Sequence, residues 1–209
     1  MSSQSPEPFG WFRKSRALVV DGSGDTRLEG MAAGATIFNF TVNVADVDRS
    51  VYEELTLRVA QHPSETDAYM LTRVLAYCLE YEEGIDFTAG IASVDEPAIL
   101  VKDLTGHVRA WIEVGAPDAS RLHYGSKLAD RTTLYTHRDP AKIMTAWAGK
   151  PIHQADKIVI HSFDRGFIDE AVGGLERRNA MTVSVTEVQL YLDLNGAAFS
   201  SAIHQTPVA

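Results

Sequence analysis

The sequence predicts an α/β domain with a mixed central sheet flanked by helices, and three patterns support this. Apolar and polar residues alternate from about residue 35, and again over residues 181–196, which is typical of half-buried strands. Between these regions, segments with helical spacing alternate with short apolar segments, an order that places helices beside a sheet. The chain has 209 residues, of which 45% are hydrophobic and 22% charged, so it can bury one sizeable core. We therefore expect a single domain over residues 31–209.

Residues 1–30 differ from the rest of the chain. They mix Ser, Pro and Gly with isolated apolar residues and show no sustained period, so we expect a disordered N-terminal extension. The regular pattern follows immediately after Met31, and our hypothesis is that Met31 is the natural start. The N-terminal mass of the native protein tests this hypothesis.

The first regular segment predicts an N-terminal β-hairpin. Apolar residues occupy every second position from Phe38 to Val44, and a second alternation runs from Leu55 to Val59. The polar stretch ADVDRS separates the two segments, as a turn would. The stretch SVYEELTLRVA also fits a helix, and we favour the strand.

The next segment predicts the first helix, over residues 64–82. Ser64 is the expected cap, with Asp67 completing a capping box, and apolar residues recur at helical spacing from Leu71 to Leu79. The remaining predicted elements are strands at 85–91, 97–102 and 108–114, a helix at 117–131, a strand at 132–137, a helix at 140–149, a strand at 156–163, a helix at 164–178 and an alternating strand region at 181–196.

Composition limits the classes of function. The net charge of −9 argues against a protein that holds nucleic acid mainly by neutralising phosphates, which requires clustered Lys and Arg. No apolar run approaches the roughly 20 residues that span a bilayer, and we find no segment of signal-peptide type. The single cysteine, Cys78, lies in an apolar helical pattern and suits a reducing compartment. We expect a cytoplasmic protein without a membrane partner.

Several carboxylates have no obvious structural role. Glu65 is left over once Ser64 and Asp67 are assigned to the helix cap, although any acid there also interacts favourably with the helix dipole. Asp95 and Glu96 stand at the start of a predicted strand. Glu113 lies within a strand, on the same face as Trp111, where an acid is costly to bury unless it is paired or binds a metal. The alternative is an edge or solvent-facing glutamate paired with a lysine.

The segments HPSETD, DEP, WIEVG and the following PD resemble, in the same order, landmarks of the YaeQ family, and the likeness runs from about Met31 to the C-terminus. The resemblance implies a bacterial family of unestablished function whose fold resembles the PD-(D/E)XK nuclease superfamily. The predicted helix, three strands, helix and strand are compatible with that nuclease-like core.

The resemblance also implies a metal site. In PD-(D/E)XK nucleases, an acid from the first helix and acids from two core strands hold a divalent cation, usually magnesium, which prefers oxygen ligands. The corresponding residues here are Glu65, Asp95 or Glu96, and Glu113. A water activated by Mg²⁺ would attack a phosphodiester, so nucleic acid would bind through the metal.

The sequence also departs from the nuclease pattern. Ala98 follows Pro97 where the superfamily has aspartate, and Gly115 stands where a lysine is expected, two residues after Glu113. Lys127 on the next helix is a candidate replacement that would act as an electrostatic stabiliser, or else a solvated surface lysine. The other function class is a non-catalytic binding or regulatory protein that keeps the nuclease-like fold. Arg73 and Arg121 would contact phosphate or balance nearby acids, and for Arg73 we favour charge balance.

Overall fold

A computed structural model describes residues 34–88 and 95–209 of the chain. The predicted N-terminal extension lies outside these residues, as do residues 89–91 of the strand predicted at 85–91.

The described residues form one mixed ten-stranded sheet with four short helices, which confirms the α/β class. The strand order is β2-β1-β8-β9-β10-β7-β6-β5-β4-β3, and only the pairs β1/β8, β5/β6 and β6/β7 are parallel. The strands are β1 (Thr36–Asp46), β2 (Val51–Gln61), β3 (Ile85–Phe87), β4 (Ile99–Lys102), β5 (Val108–Val114), β6 (Arg131–Thr136), β7 (Val159–Phe163), β8 (Arg178–Thr186), β9 (Gln189–Leu194) and β10 (Ala197–Pro207). The helices are α1 (Asp67–Leu79), α2 (Ala119–Leu128), α3 (Pro140–Trp147) and α4 (Phe167–Val172).

The N-terminal hairpin is confirmed. Strands β1 and β2 pair antiparallel, with Phe40 opposite Leu57 and Val42 opposite Leu55. The four apolar side chains are buried because each lies on the inward face of its strand. The stretch that also fitted a helix is therefore a strand.

Helices cover both faces of the sheet and create two cores. The larger core contains the apolar face of α1 together with Ile112 and Tyr135 of the sheet. The smaller core joins Leu122 of α2 and Ile143 of α3 to Leu134 and other sheet residues. Since Leu134 and Tyr135 are adjacent in β6, the two cores lie on opposite sides of the sheet.

The predicted cap of α1 is wrong. Thr66 is the N-cap, and its hydroxyl oxygen accepts a hydrogen bond from the amide of Tyr69 at 3.1 Å. Ser64 bonds the ring nitrogen of His62 at 2.6 Å, and Asp67 accepts a hydrogen bond from the side chain of Gln61 at 2.7 Å. Both polar groups of the expected capping box are thus used elsewhere, and the helix begins at Asp67.

The C-terminal region also differs from the prediction. The helix expected at 164–178 is limited to Phe167–Val172, because Gly173 and Gly174 follow and glycine disfavours helix. The region at 181–196 belongs to two strands, and β10 was not predicted at all. No helix among the described residues is long and apolar enough to cross a membrane.

Candidate functional site

Glu113 is a buried carboxylate held by two donors. Its side chain faces α2, and its Oε1 accepts hydrogen bonds from Trp111 Nε1 at 2.9 Å and from Arg121 Nε at 3.1 Å. Only 2% of Glu113 is exposed. The prediction that it shares a face with Trp111 is confirmed, whereas the alternative of a solvent-facing glutamate paired with a lysine is wrong.

Burial dominates the electrostatics of Glu113. Loss of solvation raises the pKa of its carboxyl above the usual value, and the neighbouring Arg121 charge and the Trp111 hydrogen bond only partly oppose this effect. The buried charge therefore depends on Arg121 for its compensation.

Close packing of α2 on β5 places Arg121 beside Glu113. A Cβ at Gly125 would lie 2.5 Å from the ring of Trp111, so only glycine permits this approach. Arg121 is one turn nearer the start of the helix, and its Nη2 also donates to the backbone carbonyl of Glu96. The guanidinium therefore connects Glu113 to the segment that precedes β4.

Glu65 belongs to a different ion pair. It lies before α1 rather than on the helix, and its Oε2 accepts a hydrogen bond from Arg73 Nη2 at 2.9 Å. Both side chains are buried, and Arg73 also donates to the carbonyl of Ala60. Burial raises the pKa of Glu65, with Arg73 opposing the change. Charge balance, the role favoured for Arg73, is confirmed.

The remaining predicted site residues are exposed. Asp95 and Glu96 lie on the surface before β4, and Lys127 lies on the surface of α2. Among residues 34–88 and 95–209, no three His, Cys, Asp or Glu side chains are arranged so that they could hold a metal ion. In this structure, Glu65, Asp95, Glu96 and Glu113 are therefore not arranged as a group of metal ligands, and the magnesium site stays a prediction.

A cavity of about 290 Å³ opens beside Glu113, at the end of β5. We call it the Glu113 cavity; its lining residues are Tyr69, Glu113, Val114, Gly115, Ala116, Pro117, Asp118, Arg121 and Arg138. Gly115 has φ +85°, and a Cβ there would lie 3.0 Å from the Tyr69 ring, so glycine is needed for this turn. The cavity lies between the N-terminal ends of α1 and α2.

The Glu113 cavity contains two residues that the sequence did not identify as functional. Arg138 is exposed and forms no ion pair with any acid in the described part of the chain. The hydroxyl of Tyr69 stays protonated, because burial raises its pKa more than the opposing charges of Arg73 and Arg121 lower it, and the charges of Glu65 and Glu113 add to the increase. The sequence offered one indication that Arg138 could be functional, namely its position directly after the strand predicted at 132–137.

Comparisons with known proteins cover different shares of the chain. The family model described as YaeQ protein matches residues 31–203. A relative named Uncharacterized protein YaeQ from Escherichia coli (strain K12) is 38% identical over 111 residues, and one of the same name from Salmonella typhi is 36% identical over 111 residues. Each match spans 53% of this chain and only 61% of the relative.

Two solved structures have a similar fold. The crystal structure of YaeQ protein from Pseudomonas syringae matches with a TM-score of 0.72 and 30% identity, covering 82% of this chain and 95% of that chain. The YaeQ protein from Xanthomonas axonopodis pv. citri matches with a TM-score of 0.73 and 23% identity, covering 82% and 97% of the two chains. At that lower identity, the likeness concerns the fold alone.

Proposed function

The chain belongs to the YaeQ family, and from that premise and the geometry above we propose that it binds a phosphate-bearing ligand in the Glu113 cavity without hydrolysing it. The observation that carries the proposal is the Arg138 guanidinium of this cavity, which forms no ion pair among the described residues. Glu113 and Asp118 balance Arg121 and Arg138 in formal charge, but only Glu113 and Arg121 are paired with each other. An arginine at a cavity that has no acidic partner can donate to an anion.

The donors of the cavity suit phosphate oxygens. A guanidinium presents its N–H groups in a planar fork that matches phosphate, and the protonated Tyr69 hydroxyl adds a neutral donor. Helix α2 begins at the same cavity, and the side chain of its N-cap, Asp118, makes no capping hydrogen bond. The positive end of the helix dipole adds to the attraction for an anion, whereas the Asp118 carboxylate at the same end opposes it.

The size of the cavity and the net charge of the protein limit the class of ligand. A volume of about 290 Å³ is near the lower end for small-molecule sites, so it suits one phosphate with the adjoining part of its ligand. The net charge of −9 disfavours long stretches of nucleic acid held by their backbone. A nucleotide or a terminal phosphate fits these limits.

Two features support binding without turnover. Trp111 Nε1 and Arg121 Nε donate to the same oxygen of Glu113, so the charge of this carboxylate is already balanced by an arginine. Lys127, the predicted electrostatic stabiliser, is exposed and does not line the cavity. The residues as arranged do not fit a magnesium ion, so no hydrolytic step is assigned to them.

Magnesium-dependent hydrolysis of phosphodiesters by a nuclease-like core is the second candidate. One observation favours it: the Arg121 guanidinium donates to the Glu113 carboxylate and to the backbone carbonyl of Glu96, so two of the predicted ligand residues contact the same cationic group. A magnesium ion with Glu65, Asp95 or Glu96, and Glu113 as ligands would require Arg121 to move away.

The test is titration with inorganic phosphate and then with a nucleoside monophosphate, followed by calorimetry and thermal melting. We expect saturable binding by the wild type and a loss of about tenfold or more in Arg138→Gln, the effect of one charged hydrogen bond. The matched control is Arg58→Gln, since Arg58 is an exposed arginine of β2 that lines none of the described cavities.

The same samples separate the two candidates. Wild-type protein that binds neither phosphate nor nucleotide contradicts the binding proposal. A melting temperature that rises with magnesium, together with cleavage of mixed single- and double-stranded DNA and RNA, would establish the second candidate instead. Glu113→Gln should then abolish both effects.

A further inference from the structure

The sheet formed by the described residues has two edges of unequal length. Strand β3 lies at one edge and has 3 residues, whereas β2 lies at the other edge and has 11 residues. A short edge strand offers little backbone to another chain, and natural proteins often protect a longer edge with a proline or a bulge. Strand β2 contains no proline, and its register with β1 continues without a break over the whole strand. The β2 edge is therefore long and regular.

The pairing of β1 shows which backbone groups of β2 lie at the free edge. The amide of Asn39 donates to the carbonyl of Arg177, on the β8 side, at 3.0 Å. Because backbone groups of successive residues point to opposite sides of a strand, the even-numbered residues of β1 face β2 and pair there with odd-numbered residues. The even-numbered residues of β2 therefore direct their amides and carbonyls away from β1. These residues are Tyr52, Glu54, Thr56, Arg58 and Ala60.

Most of this edge is open. The carbonyl of Ala60 accepts a hydrogen bond from Arg73 Nη2 at 2.8 Å, which agrees with the outward direction and closes that end of the strand. Within residues 34–88 and 95–209, the outward amides and carbonyls of residues 52–58 have no hydrogen-bond partner. An edge of this kind is a template for strand addition by another chain.

The side chains beside the open backbone are also exposed, and two of them are charged. Tyr52 is 62% exposed, and Glu54, Thr56 and Arg58 are exposed as well. Glu54 and Arg58 form no ion pair within the part of the chain that the structure describes. Their neighbours on β1 are neutral asparagines. The two charges are therefore available to a partner strand.

We infer that β2 pairs antiparallel with β2 of a second copy of this chain, with the two-fold axis at Thr56, so that the two molecules share one continuous sheet. This interface is separate from the Glu113 cavity and does not depend on the function proposed there.

Charge complementarity selects both the partner and the register. An axis at Thr56 places Glu54 opposite Arg58 of the second copy, and by symmetry this ion pair occurs twice. An axis at Glu54 or at Arg58 would place like charges opposite each other, and an axis at Leu55 or Leu57 would form no such pair. Opposite charges directly across two strands stabilise the pairing, whereas like charges destabilise it.

The backbone fits the same register. With the axis at Thr56, even-numbered residues lie opposite even-numbered residues, and these are the residues whose amides and carbonyls point outward. Each opposing pair then exchanges two hydrogen bonds, as in an ordinary antiparallel ladder. Because Arg73 already contacts the carbonyl of Ala60, we assign the ladder to Glu54–Arg58 of each copy.

Sedimentation velocity of the full chain over a range of concentrations is the first test. We expect a reversible dimer, and Arg58→Glu should raise its dissociation constant at least about tenfold, because two attractive pairs become repulsive. Arg178→Glu is the matched control: Arg178 is exposed on the same face, but in β8 inside the sheet, so this variant should dimerise like the wild type. Wild-type protein that stays monomeric at millimolar concentration overturns the inference. Hydrogen-exchange protection of the β2 edge amides in such a monomer would assign the edge to another segment of the same chain.

A mixture of two variants tests the register. Arg58→Glu leaves acids at both positions, and Glu54→Arg leaves arginines at both, so each variant alone repels its own copy. Mixed together they should form a heterodimer, in which both ion pairs are restored. The double variant Glu54→Arg/Arg58→Glu should dimerise like the wild type for the same reason. Single variants that dimerise as tightly as the wild type, or a mixture that stays monomeric, overturn the inference.

A disulfide gives an independent test that does not depend on charge. Opposing residues of a hydrogen-bonded pair have Cα atoms about 5.5 Å apart, a distance that a disulfide spans. Thr56→Cys protein in oxidised glutathione should therefore form a covalent dimer. Thr41→Cys is the control, because Thr41 is exposed on the same face but lies on β1, and the native Cys78 is buried. Covalent dimers from neither variant, or from both in equal amounts, overturn the inference.

Discussion

At each end of α1 lies a buried glutamate whose charge is balanced by the same two kinds of hydrogen-bond donor. At one end, Glu113 receives hydrogen bonds from the indole of Trp111 and from Arg121; at the other, Glu80 receives them from the phenol of Tyr135 and from Arg131. Each buried acid thus has one aromatic donor and one arginine. The difference lies in the group left over, which is a cation at the first end and an imidazole nitrogen at the second.

This difference shows that a buried acid does not by itself identify a ligand. Both glutamates are already neutralised by the protein, and each lines a cavity, of about 290 Å³ at Glu113 and about 220 Å³ at Glu80. The groups without a partner among the described residues are the Arg138 guanidinium in the first cavity and His161 Nδ1 at the second. The arginines also differ, since the side chain of Arg121 is 19% exposed and that of Arg131 is 44% exposed.

The largest expected effect follows from removing the acid at the more enclosed end. Glu113→Leu leaves Arg121 and the Trp111 indole without their acceptor, and the free energy of unfolding should fall by about 3–5 kcal/mol. Urea denaturation measures this change. The double variant Glu113→Leu/Arg121→Met should recover most of the loss, because no buried charge is then left unpaired. A single variant as stable as the wild type would contradict the pairing.

The corresponding change at the other end should cost less. Glu80→Leu also removes two hydrogen bonds, but Arg131 is more exposed and keeps a contact with Glu82 at 3.4 Å. We expect a loss of about 1–3 kcal/mol, mainly from the Tyr135 hydroxyl that is left unsatisfied. If Glu80→Leu proves more destabilising than Glu113→Leu, exposure of the arginine does not set the cost.

The two ends should respond to pH with opposite signs. The folded pKa of Glu113 is raised, so the folded state binds its proton more readily, and stability falls as pH rises from 4.5 through that raised pKa. Burial lowers the pKa of His161, with Glu80 opposing and Arg131 adding to the effect, while the adjacent Tyr135 stays protonated. The unfolded state then binds the proton of His161 more readily, so stability is lost as pH falls below 6.5.

Denaturation midpoints across this pH range test both signs. Compared with the wild type, Glu113→Gln should lose the stability gained on acidification, and His161→Phe should lose part of the acid-induced destabilisation. Each effect amounts to about 1.4 kcal/mol for every pH unit between the folded and unfolded pKa values. His137, whose pKa is also lowered by burial, should keep its contribution in both variants. If the stability of Glu113→Gln and of His161→Phe changed with pH in the same way, the opposite signs expected at the two ends of α1 would be wrong.

The smallest expected effect concerns Lys127. It is exposed and lines neither cavity, so Lys127→Ala should change stability by no more than about 0.5 kcal/mol and leave phosphate binding unchanged. Calorimetric titration with phosphate measures this. Weaker phosphate binding by Lys127→Ala would restore Lys127 as an electrostatic stabiliser of the Glu113 cavity.

Short-range patterns in the sequence predicted the strands of the hairpin and the face on which Glu113 lies. Period-two alternation located the hairpin and placed Glu113 on the face of Trp111, because side chains alternate along any strand. The cap of α1 was missed because Ser64 and Asp67 found other partners. The helix expected at 164–178 is shorter than its apolar spacing predicts, because two glycines end it after Val172.

The sites depend on contacts between distant residues. Tyr135 is 55 residues from Glu80 in sequence, and no spacing rule connects them. Glu65 and Glu113 matched a pattern of acids, but the sequence does not show that each is paired with an arginine. The sequence does not show that Arg138 lies at a cavity, because this depends on the turn at Gly115, which brings the end of β5 close to Arg138.

The parallel pairing of β1 with β8 has a consequence for how the chain folds during synthesis. Asn179 donates a hydrogen bond to the carbonyl of Asn39, 140 residues earlier. The ribosome therefore releases the β1–β2 hairpin long before its neighbour exists, and the inner edge of β1 stays unpaired meanwhile. Contacts of such separation slow folding, and an open strand edge invites association with other chains. We expect nascent chains that end before β8 to need a chaperone more than the complete chain does.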